Sequence, residues 1–397
     1  MNSNLVRLNR IATKGSRNII GLMSGTSMDG LDIALCKVSG HGLKTRMSLL
    51  NFETITYTSE IRRRIADVFA KKNIDFVKLS GLHPWIGILH GKMVLQCLKK
   101  WKIKPGSIDL IASHGQTVMH SPAFLHPEDP VNSTFQAGDG DHLAVTTGIL
   151  TLSDFRQKHI AAGGEGAPLA VYGDYLLLSD RIETRILLNI GGIANFTYLP
   201  AGKKTNHILV TDTGPGNTLI DQTVTINFKG EYFDRDAVRA RRGIFHPGLL
   251  KVLKSHSFFF RPLPKTIGPE LFNMEYIRNA QKQSDSESIT VEDLLATLTR
   301  LSAETIADTI KSVTANKKFV VYLSGGGAHN PLMVQWLKEL LSLKSLKSTD
   351  ALGVPGDAKE AILFALLANE TVSGEKIDFG RRTKIPSVTM GKISFPS

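Results

Sequence analysis

The chain has 397 residues, room for two or three domains. Hydrophobic residues make up 42% and charged residues 21%, which excludes wholesale disorder and collagen-like structure. Forty-eight basic against 36 acidic side chains give a net charge of +12, a balance that attracts polyanions without naming one.

The basic excess is spread along the chain and shows none of the aromatic-interleaved motifs of common nucleic-acid modules, so a solvated basic surface is expected and no nucleic-acid partner. The longest apolar stretches, such as 185–199, are broken by Gly and Asn before the roughly eighteen residues that span a bilayer, and no membrane helix is expected. Cys36 and Cys97 make no disulfide framework, and no Cys/His cluster has zinc spacing. A reducing, cytoplasmic compartment fits.

Residues 1–17 are basic, lack the apolar core of a secretion signal and are expected to be a flexible extension. An apolar strand over 18–23 passes through Ser24-Gly25-Thr26-Ser27-Met28-Asp29-Gly30 into a second strand over 31–38, the pattern of a hairpin. A third strand is predicted over 49–58, then helices over 59–71 and 78–100. A buried strand over 109–113 is predicted to carry His114-Gly115-Gln116-Thr117 at its carboxyl end. Another over 149–153 would carry Asp154-Phe155-Arg156.

The second half opens in the same way, with strands over 185–189 and 193–199 around a Gly191-Gly192 turn. A strand over 208–211 leads into Asp212-Thr213-Gly214-Pro215-Gly216-Asn217 and a helix from Thr218. Residues 290–314 read as a long amphipathic helix. A strand over 318–323 ends in Ser324-Gly325-Gly326-Gly327, with Asn330 before the next helix, and a closing helix covers 358–369. Two similar openings suggest a duplicated α/β core: an extension (1–17), a first lobe (18–184 plus 355–397) and a second lobe (185–354).

The first turn can bind an anion through backbone N–H groups beside Gly25 and Gly30 and through the Thr26 and Ser27 hydroxyls. Asp29 and Asp32 could hold a magnesium ion directly or through water; an ordinary hairpin turn explains the same residues equally well. No P-loop and no Gly-x-Gly-x-x-Gly after a strand is present. Gly191 and Gly192 would grip a polyphosphate from the other side, although a Gly-Gly between apolar runs is usually just a tight turn. Gly325, Gly326 and Gly327 leave space for a flat ring, whose polar edge the Asn330 amide can read; a plain strand-to-helix connection explains the three glycines equally well. Asp212, at a strand end beside glycines, suits a general base, or else caps the following helix. Its Asp-Thr-Gly also occurs in aspartic proteases, which need a second such carboxylate that this chain lacks. His114, Gln116, Thr117, Asp154, Arg156 and Glu360 are lesser candidates for lining a crevice, with Arg156 suited to a carboxylate.

Together, segments 23–32, 114–117, 154–156, 164–169, 189–195, 212–217 and 324–332, with Lys265-x-x-Gly268, resemble anhydro-N-acetylmuramic acid kinases. The repeated glycine-turned hairpin is the broader mark of the sugar kinase, heat-shock ATPase and actin superfamily. The resemblance implies a two-lobed ribonuclease-H-like α/β fold of the actin/sugar-kinase type, with an ATP cleft between lobes. It implies ATP phosphates on Gly25, Thr26, Ser27, Met28, Asp29, Gly30, Leu31 and Asp32, with Gly191 and Gly192 opposite and Gly325–Gly327 near the adenosine. Asp212 matches the family's catalytic aspartate, and Glu360 a carboxylate near the sugar. Gly214 and Asn217 belong with the sugar contacts.

The implied reaction converts ATP, 1,6-anhydro-N-acetylmuramic acid and water into N-acetylmuramic acid 6-phosphate and ADP, with Mg2+, in recycling of cell-wall sugar. The expected partners are that small anhydro amino sugar and a second copy of the chain, as a homodimer. A kinase for another sugar and a non-enzymatic ATP-clamping scaffold are the alternatives. His159 stands where relatives often carry an acidic residue, and Glu165 where glutamine is common.

Overall fold

In the computed structural model, the described residues are 2–123, 128, 130–267, 271–315, 317–380 and 385–397. Gly268 lies outside them. The chain divides into unit 1 (Met1–Leu178 with Asp357–Ser397) and unit 2 (Ser179–Gly356).

Unit 1 opens with helix α1 (Ser3–Thr13), where a flexible extension was expected. It buries Ile11 and ties itself down: the Arg7 Nη1 donates to Gly148 O at 3.1 Å, and Lys14, just past its end, pairs with Asp109. The next strands, β1 (Ser16–Ser24) and β2 (Gly30–Ser39), are mostly buried, as their apolar majority requires. β3 (Arg46–Thr56) alternates half-buried and exposed residues at the sheet edge. Thr58 caps α2 (Ser59–Ala66) and Asp75 caps α3 (Phe76–Lys100) through side-chain oxygens. β4 (Leu110–Ser121), β5 (Ser133–Ala137), α4 (Gly140–Thr147), β6 (Thr151–Ser153), α5 (Phe155–Ala161) and α6 (Ala170–Leu178) follow.

Its sheet runs β12-β6-β4-β1-β2-β3, where β12 (Lys392–Ser394) is the edge added by the chain's end and β5 pairs with the far half of β4. β2 and β3 are antiparallel to their neighbours, whereas β4 and β6 run parallel to β1. One face packs Ile20, Leu22 and Ile33 against Ile61, Ile65, Ile86 and Val94. The other receives α12 (Lys359–Ser373), whose Ala361 backbone sits where a side chain on Gly21 would go. That close approach explains a glycine in mid-strand.

Unit 2 repeats the arrangement. β7 (Arg185–Ile190), β8 (Ile193–Leu199) and β9 (Leu209–Pro215) form an antiparallel meander, and α7 (Thr218–Asn227) follows directly. Then come α8 (Pro247–Lys254), α9 (Met274–Gln283), α10 (Val291–Thr314), β10 (Val320–Ser324), α11 (Pro331–Leu341) and β11 (Lys347–Ser348). The sheet order is β11-β10-β7-β8-β9, with β10 parallel to both β7 and β11. Thr290 caps α10, accepting from Asp293 N at 3.1 Å, and the helix buries Leu295, Leu298, Leu301 and Ile306 in the unit's core.

Candidate active site

The β1–β2 turn of unit 1 is held from below by buried side chains. Gln116, which is fully buried, accepts from Ser24 Oγ at 2.5 Å and donates through Nε2 to Gly25 O (2.9 Å) and Thr117 O (3.1 Å). Ser24 Oγ lies 2.9 Å from Tyr57 OH, which lies 2.7 Å from His90 Nε2. His90 Nδ1 has no partner among the described residues. An unpaired acceptor is cheaper than an unpaired N–H, so the chain of donors runs from His90 Nε2–H through Tyr57 and Ser24 to Gln116. Burial holds His90 neutral, its pKa pushed down to about 3.

The turn itself faces outward. Thr26, Ser27 and Asp29 are exposed, and the nearest atom to a side chain built on Gly25 is Met23 Cε at 3.8 Å. Gly25 has no positive φ, so neither strain nor protein neighbours demand a glycine there. Gly30 is different: the β3 backbone at Ile55 and Thr56 fills the space of its missing Cβ. Leu31, predicted to hold a phosphate, is fully buried.

β4 does not stop at Ser113 as predicted; it continues to Ser121 because β5 takes over as its partner from Gln116 onward. His114 and Gln116, predicted at a strand end facing the sugar, therefore lie inside the sheet. His114 Nε2 accepts from Arg156 Nε at 2.7 Å, and its Nδ1–H donates to Gly115 O at 2.8 Å. Burial first, then Arg156, pushes its pKa down to about 3. It is a neutral acceptor that aims Arg156.

Arg156 also donates to Gly166 O at 2.8 Å. The His159 ring packs on Gly164 and accepts from Gly166 N at 3.0 Å, so this residue shapes the glycine loop that Arg156 grips. Glu165 is exposed. Asp154, placed with the sugar ligands by sequence, has a left-handed φ of 58° and pairs with Lys392 at 3.2 Å.

Glu360 is exposed to solvent yet crowded by protein, which lifts its carboxyl; Arg156 opposes that lift and Asp32 adds to it. Asp32 accepts from Thr54 Oγ1 at 2.6 Å and is raised by burial, with Asp357 and Asp29 as further acidic neighbours. Carboxylates that repel one another suit a cation. No cluster of three metal-ligating side chains occurs among the described residues.

In unit 2, Gly191 and Gly192 turn between β7 and β8 as predicted, and the segment after β9 closes over them: Gly216 N and Thr218 N donate to Gly192 O, and Asn217 N to Gly191 O, at 2.8–3.1 Å. Gly325 has φ 82° and lies against Asn189 and Ile190, whereas a side chain on Gly326 would meet only Asn217 Nδ2, at 3.8 Å. Asn330, predicted to read a ring edge, is buried and caps α11 by accepting from Met333 N at 2.9 Å.

Asp212 lies within β9, not beyond its end, and Gly214 (φ 147°) is pressed against Phe259. Asp212 Oδ2 accepts from Ile267 N at 2.8 Å; Oδ1 takes no hydrogen bond from a described residue. Burial pushes the carboxyl up to about 6, with the Ile267 amide pulling the other way. Asp212 makes no ion pair among the described residues. A carboxylate poised near neutrality, with one oxygen that no described residue bonds, is equipped to take a proton.

Two units, each with three antiparallel strands followed by two parallel ones and a glycine turn between the first two, define the duplicated ribonuclease-H-like fold of the sugar kinase and actin superfamily. A family profile described as anhydro-N-acetylmuramic acid kinase matches residues 17–389. The anhydro-N-acetylmuramic acid kinase of Pseudoalteromonas atlantica is 51% identical over 400 residues, covering 100% of both chains. That of Pseudoalteromonas translucida is 49% identical over 399 residues, again covering 100% of both. The enzyme of that name from Caldanaerobacter subterraneus subsp. tengcongensis is 40% identical, covering 98% of this chain and 99% of its own. The chain belongs to the anhydro-N-acetylmuramic acid kinase family.

Proposed function

We propose that this kinase opens the bridge of 1,6-anhydro-N-acetylmuramic acid with water while transferring the γ-phosphoryl group of ATP to O6. The products are N-acetylmuramic acid 6-phosphate and ADP. The observation that carries the reading is Asp212: one oxygen fixed by an amide, the other taking no hydrogen bond from a described residue, and a pKa lifted toward neutrality by burial.

An anhydro bridge leaves no 6-hydroxyl to deprotonate, so the base has another task. Asp212 Oδ1 takes a proton from water as that water bonds to the anomeric carbon. The bond from that carbon to the bridge oxygen breaks, and the bridge oxygen attacks the γ-phosphorus while ADP leaves. Backbone N–H groups of the turns at Gly25 and at Gly191-Gly192 stabilise the charge on the moving phosphoryl group. Asp29 and Asp32 would hold a magnesium ion, which supplies further neutralisation of phosphate charge when bound. Arg156, aimed by His114, suits the lactyl carboxylate. Thr117, Asn217, the Gly214 backbone and Glu360 complete the sugar contacts in this reading, and Gly325–Gly327 border the adenosine. The unpaired, buried Cys36 and Cys97 are at home in a reducing cytoplasm. The reading also carries a homodimer, which light scattering tests.

A coupled ADP assay on the purified chain, with and without the anhydro sugar, decides the activity; sugar-independent or absent ADP release refutes it. Turnover in oxygen-18 water, read before anomeric exchange, must place the label on the anomeric hydroxyl. An unlabelled hydroxyl means an ordinary kinase acting on another sugar.

A further inference from the structure

Lys265 is a buried cation to which the reaction as written gives no task. It is 7% exposed, and its ammonium donates to Phe258 O (3.3 Å) and Phe259 O (3.1 Å) with the Phe258 ring centroid 4.7 Å away. No carboxylate pairs with it among the described residues. Taking an ammonium out of water is costly, and here the two carbonyls and the Phe258 ring face hold it. What it anchors is a short backbone segment lying along β9. Lys265 N donates to Thr211 Oγ1 at 3.1 Å, Lys265 O accepts from Asp212 N at 2.9 Å, and Ile267 N reaches Asp212 Oδ2 at 2.8 Å.

We propose that Lys265 is a positioning residue: by pinning the 265–267 segment to the Phe258 and Phe259 carbonyls, it fixes the Ile267 amide on Asp212 Oδ2 and leaves Oδ1 as the proton acceptor. This rests on Asp212 being the base. Other charges around β9 are engaged elsewhere or lie farther along the loop. β8 has no charged residue, Glu304 and Asp308 of α10 face Lys254, Arg300 pairs with Glu304, and Arg261 acts on Lys265. The Ile267 amide is thus the principal group that favours the ionised base.

The test is the pH profile of kcat/KM for the anhydro sugar, in the full chain with saturating ATP. In Lys265→Met the amide is released, and the acid limb moves up by about one pH unit, a roughly tenfold loss on the limb, as expected for one amide hydrogen bond to a carboxylate. KM for ATP stays unchanged. An acid limb left in place overturns the proposal. Should Lys265→Met not fold, Thr211→Val, which removes the side-chain acceptor of Lys265 N, must move the limb the same way, and an unmoved limb is again fatal. Asp212→Asn is run in parallel. If it retains turnover, the base assignment itself fails; if it is inactive while the limb of Lys265→Met is unmoved, only the role of Lys265 fails.

Discussion

Replacing Asp212 by asparagine should separate what this carboxylate does for the reaction from what it costs the fold. Asparagine keeps the shape, and its Oδ1 can still accept from the Ile267 amide, but it has no charge and cannot act as a base. Turnover should fall by roughly two to four orders of magnitude, the contribution of a positioned general base. Stability should move the other way. The folded carboxyl titrates at about 6 against an ordinary 3.8, so the fold favours its neutral form. The stability this group contributes is present below the unfolded value and lost as pH rises through 6. That gap corresponds to about 3 kcal/mol, trimmed to about 2 where solvent reaches a half-buried carboxylate. Denaturant unfolding of both proteins at pH 4 and pH 8 should therefore show a gain of about 2–3 kcal/mol for Asp212→Asn at pH 8 and little at pH 4. Equal stability at pH 8, or the same gain at both values, would refute the argument that burial sets the pKa of the base.

For the unaltered protein, kcat/KM for the anhydro sugar should fall on the acid side with a midpoint near pH 6, as Asp212 protonates; a limb near 4 would point to a different base. Tyr57→Phe removes the hydroxyl between Ser24 and His90 and should cost about 1–3 kcal/mol. It should also raise KM for ATP, because Ser24 and Gln116 brace the Gly25 turn; unfolding and ATP titrations check both effects. Gly21→Ala pushes a methyl against the Ala361 backbone of α12 and should destabilise unit 1 by about 1–3 kcal/mol, read as a lower unfolding midpoint.

Much of the fold was legible because hydrophobic period and glycine turns act locally. Gly191 and Gly192 sit between β7 and β8 as expected, and Thr290 starts α10 as its capping chemistry requires. The misreadings share a cause. Strand β4 looked finished at Ser113 because polar residues follow, yet β5 supplies a partner some twenty residues downstream that no local pattern announces. The partners that the structure gives His114, Gln116 and Asp154, namely Arg156, Ser24 and Lys392, likewise come from tertiary placement that no local pattern announces. The clamp on Asp212 was hidden for the same reason: its donor is an amide, which has no sequence signal, though Lys265 had appeared in the family-like segment without a task.

The same physics explains why the duplication shows in the topology but not in the residues. In both units the chain leaving the third strand bonds back to the glycine turn, Tyr57 N to Asp29 O in unit 1 and Asn217 N to Gly191 O in unit 2. Unit 2 adds two further backbone bonds onto Gly192 O, and a side chain on Gly216 would strike the Gly191 backbone. Unit 1 instead braces its turn with the side chains of Ser24, Gln116, Tyr57 and His90. Backbone bonds can be made by almost any sequence, whereas a buried side-chain chain tolerates few. Two copies that solve the same closure by these different means keep their strand order while their sequences diverge, and the unit 1 turn becomes the one that single side-chain substitutions can loosen.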